Sequence, residues 1–284
     1  MKIGVTGASG QLGRLVIQEL LERCAANDIV GIVRDPAKVA DLKAAGVEIR
    51  VADYNDRASL DAALVGLDRL LLISSNEVGH RLPQHQNVID AAKLAGVKHV
   101  VYTSAPKATT SALILAPEHK ATEEYLASSG LAYTVLRNNW YTENYGWQMQ
   151  AARDTGELVA AAGSGRVASA TRADYAEGAA VVLVGEGHEG QVYEFSGDRA
   201  WDYQELAAAI AEVTGTACSY KAVKPAALVA TMTEAGVDEG TASFVAALDG
   251  NIAEGALSEA SLQLSELIGR PTTPMKESVK KALE

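Results

Sequence analysis

Residues 6–13 read Thr6-Gly7-Ala8-Ser9-Gly10-Gln11-Leu12-Gly13. They follow a short apolar run at residues 2–6. They open a segment in which Leu15, Val16, Glu19, Leu20 and Arg23 recur at three- and four-residue spacing. Strand, glycine turn and amphipathic helix, in that order, form the first turn of a dinucleotide-binding fold. Gly7 allows the tight turn, Gly10 lets the backbone approach a pyrophosphate, and Gly13 lets helix and strand pack closely. The phosphates are expected to meet backbone N–H groups and the positive end of the helix dipole.

Outward from this turn, strand-like runs recur at residues 29–33, 48–51, 69–74, 97–103 and 132–136. They are continuously apolar rather than alternating, as parallel strands covered on both faces require. Helical stretches lie between them, at residues 12–23, 83–95 and 117–129, the last two opened by Pro83 and Pro117. Proline is tolerated in a helix's first turn. The expected fold is α/β: a Rossmann-type doubly wound parallel sheet with a smaller, mostly helical C-terminal lobe. Beyond Asn144 the rhythm loosens, with one strand-like run at 192–195, a helix at 203–213 before Gly215, and short helices from Pro225. The division is placed near Gly156, giving a nucleotide-binding domain at 1–155 and a capping lobe at 156–284. This division leaves open the return of some later strands to the main sheet.

The chain has 284 residues, 48% apolar and 21% charged, which suits a folded globular protein. A formal charge of −11 repels phosphate backbones and anionic lipid heads, so nucleic acid and membrane surfaces are excluded as partners. Cys24 and Cys218 have neither metal-knuckle nor CxxC spacing, and no metal site is expected. The first strand begins at residue 2, leaving no room for an export signal, and a cytoplasmic location is expected.

Four further segments carry chemistry. Arg34 ends the second strand, 21 residues after Gly13. At that place a carboxylate suits the ribose hydroxyls of NAD, whereas an arginine suits a 2′-phosphate. Asp35 is adjacent and keeps NAD open. Ser74, Ser75 and Asn76 end the fourth strand, and ligands in open parallel sheets lie beyond the carboxyl ends of strands. Asp53, after the third strand, either caps the helix beginning near Arg57 or contacts adenine. After the sixth strand, Trp140, Tyr141, Tyr145 and Trp147 crowd into a chain with only 5% aromatics. Trp140, Tyr141 and Tyr145 are read as a flat wall for a planar substrate.

The glycine turn, the runs Val33-Arg34-Asp35-Pro36-Ala37-Lys38, Ala52-Asp53-Tyr54-Asn55-Asp56 and Leu136-Arg137-Asn138 together resemble the NmrA-like branch of the atypical short-chain dehydrogenases. The stretches at residues 70–79, 168–175 and 267–273 are similar to the bacterial NAD(P)H:quinone oxidoreductases within it and, more loosely, to its triphenylmethane reductases. The resemblance covers nearly the whole chain. It implies a monomer or weak homodimer, NADPH as cofactor, and hydride transfer to quinones or related conjugated electrophiles. It also implies cofactor contacts at Gly7, Ala8, Ser9, Gly10, Gln11, Leu12, Arg34, Ser74, Ser75 and Asn76, and at Asn138, Asn139, Trp140, Tyr141, Thr142 and Glu143.

The Tyr-x-x-x-Lys pair of ordinary short-chain dehydrogenases is missing from the nucleotide-binding half. Tyr102 has Pro106 at that spacing and Tyr125 has Ser129, while the one match, Tyr220 to Lys224, lies outside that half. A quinone is a strong hydride acceptor, so positioning supplies much of the catalysis. His119 and Lys120, opening the helix after the fifth strand, are the candidate proton donors. The alternatives are a non-catalytic NADP(H)-binding redox sensor, since NmrA-like regulators share the fold, and an epimerase or reductase for another substrate.

Overall fold

The computed structural model describes residues 1–284. Its strands are β1 (Ile3–Thr6), β2 (Ile29–Val33), β3 (Glu48–Val51), β4 (Arg69–Leu72), β5 (His99–Ser104), β6 (Ala132–Asn138), β7 (Glu157–Ala160), β8 (Arg166–Val167), β9 (Val192–Phe195), β10 (Trp201–Asp202) and β11 (Ser219–Ala222). The helices are α1 (Gln11–Leu21), α2 (Ala40–Ala44), α3 (Arg57–Ala63), α4 (Arg81–Ala95), α5 (Ala116–Ser128), α6 (Gly146–Thr155), α7 (Arg172–Val184), α8 (Tyr203–Thr214), α9 (Pro225–Glu234), α10 (Glu239–Ala253), α11 (Gln263–Ile268) and α12 (Met275–Leu283). They sort into two compact units that the chain enters more than once. The first holds Met1–Thr109, Leu115–Asn138 and Arg172–Phe195; the second holds Thr110–Ile114, Asn139–Thr171 and Ser196–Glu284.

The first unit is a seven-stranded sheet in the order β3-β2-β1-β4-β5-β6-β9. Every pairing in it is parallel. The order reverses between β1 and β4, the switch point at which doubly wound sheets open a crevice. The continuous apolar runs are explained by position: β1, β2 and β5 are buried at every residue. Edge strand β3 has only half-buried and exposed residues. Helix α1 packs on α7, while α3, α4 and α5 pack in succession. Beneath the latter group Leu60, Leu64, Leu70, Leu72, Val88, Val100 and Tyr102 form one core. Near the other edge Arg137 of β6 binds both oxygens of Glu123 (3.0 and 2.6 Å) and also Glu194 of β9 (2.8 Å).

Element ends differ modestly from the sequence-based expectations. β4 stops at Leu72, leaving residues 73–77 as a loop, and β6 runs on to Asn138. α4 begins two residues before Pro83, because the Glu118 carboxylate accepts from the backbone N–H groups of Gly79 and Arg81 (3.0 and 3.1 Å). A carboxylate supplied from elsewhere in the chain thus serves as the missing cap.

The second unit is mostly helical. It has two small sheets, antiparallel β8-β10 and parallel β7-β11. Its aromatic centre sets Tyr145 edge-on to Trp201 and Tyr203 (ring centroids 5.1 and 5.9 Å) and stacks Tyr203 on Tyr220 (5.3 Å). Buried Asp249 ties helix α10 to the end of β7 by accepting from the Ala161 N–H (2.7 Å). Burial raises its carboxyl pKa.

Candidate cofactor site

A cavity of about 520 Å³ opens in the first unit, where β1, β2, β3 and β4 end. Its floor is the glycine turn. Gly7 has φ of +59°, a left-handed conformation that glycine adopts without a Cβ penalty. A Cβ on Gly13 would lie 2.4 Å from the Gly7 carbonyl oxygen, so strand and helix can approach this closely only with glycine there. Helix α1 starts with no side-chain cap and no acidic residue in its first turn. Its first N–H groups and positive dipole end therefore face a ligand space lined by Gly10, Gln11, Leu12 and Gly13.

Of the residues expected to hold the cofactor, Gly7, Ser9, Gly10, Gln11, Leu12, Arg34, Ser74, Ser75 and Asn76 line the cavity. Ala8 does not. It is wholly buried beneath the turn, its N–H donating to the Ile32 carbonyl (3.2 Å). Arg34 and Asp35 separate. The Arg34 side chain is 65% exposed at the cavity, 3.5 Å from the Glu77 carboxylate. Asp35 instead caps the short turn at Pro36–Val39 by accepting from the Ala37 N–H (3.0 Å). Asp53 lines the cavity, and the cap of α3 falls to Asp56, which accepts from Ala58 and Ser59.

Three lining residues carried no sequence signal of their own. Gln84 donates to Glu77 (2.7 Å), Glu77 faces Arg34, and Arg172 adds a second guanidinium-bearing residue from the start of α7. The Tyr54 hydroxyl is held by the Ile73 carbonyl (2.8 Å) and Thr6, and burial raises its pKa.

His119 and Lys120 part company as well. His119 is 4% exposed in the first unit's interior and does not line the cavity. Its Nδ1 meets the Tyr102 hydroxyl (2.8 Å) and its Nε2 meets the Arg81 guanidinium (3.4 Å). Arginine only donates, so Nε2 accepts and the ring is neutral. Burial and the Arg81 charge push its pKa down to about 3. Lys120 is solvent-exposed, 3.9 Å from Glu124 one helical turn on.

Asn138 ends β6 in the first unit. Asn139, Trp140, Tyr141, Thr142 and Glu143 belong to the second. There Asn139 donates to the Leu257 carbonyl, Tyr141 bridges Ala170, and Thr142 meets the Ser169 hydroxyl (2.8 Å). Trp140 and Tyr141 are half-buried and Glu143 is exposed. Tyr145, expected in a substrate wall, is 3% exposed and is packing in the aromatic centre. Tyr220 lies on β11, its pKa pushed up to about 12 chiefly by burial, the reverse of a lysine-activated tyrosine. No group of His, Cys, Asp and Glu is placed to hold a metal ion.

The family model for NAD(P)H-binding proteins matches residues 7–185, which include the glycine turn, Arg34 and Arg172. The chain belongs to the NAD(P)H-binding family. As a member it is 50% identical over 277 residues to quinone oxidoreductase 2 of Escherichia coli, covering 98% of this chain and 97% of that one. A crystal structure of the NADPH-dependent quinone oxidoreductase from Escherichia coli complexed with NADPH superposes with a TM-score of 0.96 at 49% identity, covering 99% of this chain and all of that one. The triphenylmethane reductase of Citrobacter sp. complexed with NADP(H) also superposes at 0.96, with 41% identity and the same coverage. The NmrA-like resemblance and the Rossmann-type fold hold. No helix is long and apolar enough to cross a membrane.

Proposed function

We propose that this family member is an NADPH-dependent oxidoreductase that transfers hydride to quinones or related planar, conjugated electrophiles. One observation carries the cofactor choice: Arg34 is exposed at the cavity, facing Glu77, while Asp35 is occupied as a cap. An always-charged, planar guanidinium matches a 2′-phosphate, and the carboxylate that would favour NAD is turned to other work. The uncapped N-terminus of α1 and the glycine floor fit the pyrophosphate, with Arg172 as a second cation. Asp53 and Tyr54 suit the adenine end. Ser74, Ser75 and Asn76 suit the ribose and nicotinamide path. The 50% identity to a quinone oxidoreductase supports the substrate class.

When bound, NADPH supplies the hydride. The protein's part is to hold the nucleotide, orient its ring and admit a flat acceptor. Reduction of a quinone takes up one hydride and one proton. His119 is buried and neutral, with its Nδ1 proton directed at Tyr102, so we assign the proton to water rather than to His119. The test is NADPH absorbance followed with a small benzoquinone. Quinone-dependent loss of NADPH supports the reading. Tight NADPH binding without turnover of any quinone or dye replaces it with the redox-sensor reading.

A further inference from the structure

The loop that follows β4 has to be held, since it walls the cavity with Ser74, Ser75 and Asn76 yet belongs to no strand or helix. Its middle residue is held at both ends by one face of α4. The backbone N–H of Ser75 donates to His85 Nε2 (2.9 Å), and the Ser75 carbonyl accepts from Arg81 Nε (2.6 Å). Arg81 and His85 are four residues apart, so they share one helical face. The Ser75 hydroxyl accepts from the Glu77 N–H (3.1 Å), and the Ser74 N–H donates to Thr103 Oγ1 (2.9 Å).

The protons around His85 can be counted. Thr122 has one hydroxyl hydrogen, and it goes to the Glu118 carbonyl (2.9 Å). His85 Nδ1, 2.9 Å from the same oxygen, must therefore donate. Nε2 is left with its lone pair, the state needed to receive the Ser75 N–H. The imidazole is fully buried, so its tautomer is set by these partners and not by water.

We propose that His85 is a positioning residue for the cofactor: as a neutral acceptor it locks the Ser75 peptide and so holds the cavity wall in its binding shape. The proposal rests on the NADPH reading and goes beyond it, because His85 does not line the cavity. Without an acceptor, the half-buried Ser75 N–H is left unsatisfied, and the loop lowers its free energy by turning that group toward water. Cofactor binding must then reverse the turn, so the apparent Kd rises by the inverse of the competent fraction.

The test compares NADPH Kd values, by fluorescence titration, for the unmodified chain, His85→Leu, His85→Gln and His99→Gln. Leucine has no acceptor. The glutamine carbonyl reaches about as far as Nε2 and can accept in its place. His99 is an equally buried imidazole at the opposite end of the sheet, bonded to Thr134 (2.8 Å), and controls for general loss of packing. We expect His85→Leu to raise Kd roughly 10-fold: an unsatisfied amide costs about 1–3 kcal/mol when fully buried, a half-buried one falls toward the lower end, and each 1.4 kcal/mol is tenfold. His85→Gln should return Kd to within about threefold, and His99→Gln should lose stability with Kd unchanged. A folded His85→Leu that binds NADPH as tightly as the unmodified chain overturns the proposal. So does His85→Gln binding as weakly as His85→Leu. Failure of the unmodified chain to bind NADPH would overturn the cofactor reading instead.

Discussion

Gly13 lies so close beneath Gly7 that a Cβ added to it would come within 2.4 Å of the Gly7 carbonyl oxygen and 2.9 Å of Ala8 Cα. Both obstacles are backbone and belong to the turn that floors the cavity. Gly13→Ala should therefore push the turn aside, costing about 1–3 kcal/mol of stability as overpacked sites do. It should also weaken NADPH binding. Urea unfolding and an NADPH titration check both. A Gly13→Ala chain of unchanged stability and affinity would show that the turn is looser than its geometry states.

Glu77 faces Arg34 at 3.5 Å, and the two side chains are 40% and 65% exposed. A 2′-phosphate brought to Arg34 must therefore contend with a carboxylate already there. Glu77→Gln should raise the preference for NADPH over NADH modestly, by about 1.5- to 5-fold, the scale of an exposed ion pair. Paired Kd measurements for the two cofactors decide this, and a lowered preference would refute it.

His85 and His119 are both held neutral, their pKa values pushed down to about 3 by burial and by the Arg81 charge. Their unfolded values lie near 6.5. Between those limits the unfolded chain binds more protons than the folded one, so stability is full above about pH 6.5 and is lost as pH falls toward 3. Each histidine contributes a slope of at most about 1.4 kcal/mol per pH unit in that window. Denaturant unfolding at steps from pH 7 to 4 should show the fall, and His85→Gln should flatten it. An unflattened slope in that variant would mean His85 is protonated in the fold.

The legible parts of this protein were those whose signal is local. The glycine turn, the buried runs of β1, β2 and β5, and Arg34 all declare themselves within a few residues. The role of Asp35 did not, because only the fold shows its carboxylate spent on the Ala37 N–H. Arg172 comes to the cavity from 138 positions beyond Arg34, a pairing that no spacing rule announces. The burial of His119 is hidden for another reason. A candidate proton donor should reach the cavity, yet His119, Thr122, Glu123 and Leu126 are all buried on one face of α5. That three- and four-residue spacing was present in the sequence. It was hidden because three of the four residues are polar, and their burial depends on partners such as Tyr102 and Arg137 from other elements. The short strands β8 and β10, two residues each, lie below any periodicity.

Cofactor choice and quinone reduction are tested together by one set of steady-state rates: kcat/KM for NADPH and for NADH with a small benzoquinone, in the unmodified chain and in Arg34→Ala. A charge-assisted phosphate contact is worth roughly 1.5–3 kcal/mol, or about 10- to 150-fold. Quinone-dependent oxidation of NADPH is expected, favoured over NADH by about that factor, with the difference largely erased in Arg34→Ala. Equal rates with the two cofactors in the unmodified chain, or a preference that survives Arg34→Ala intact, would contradict it.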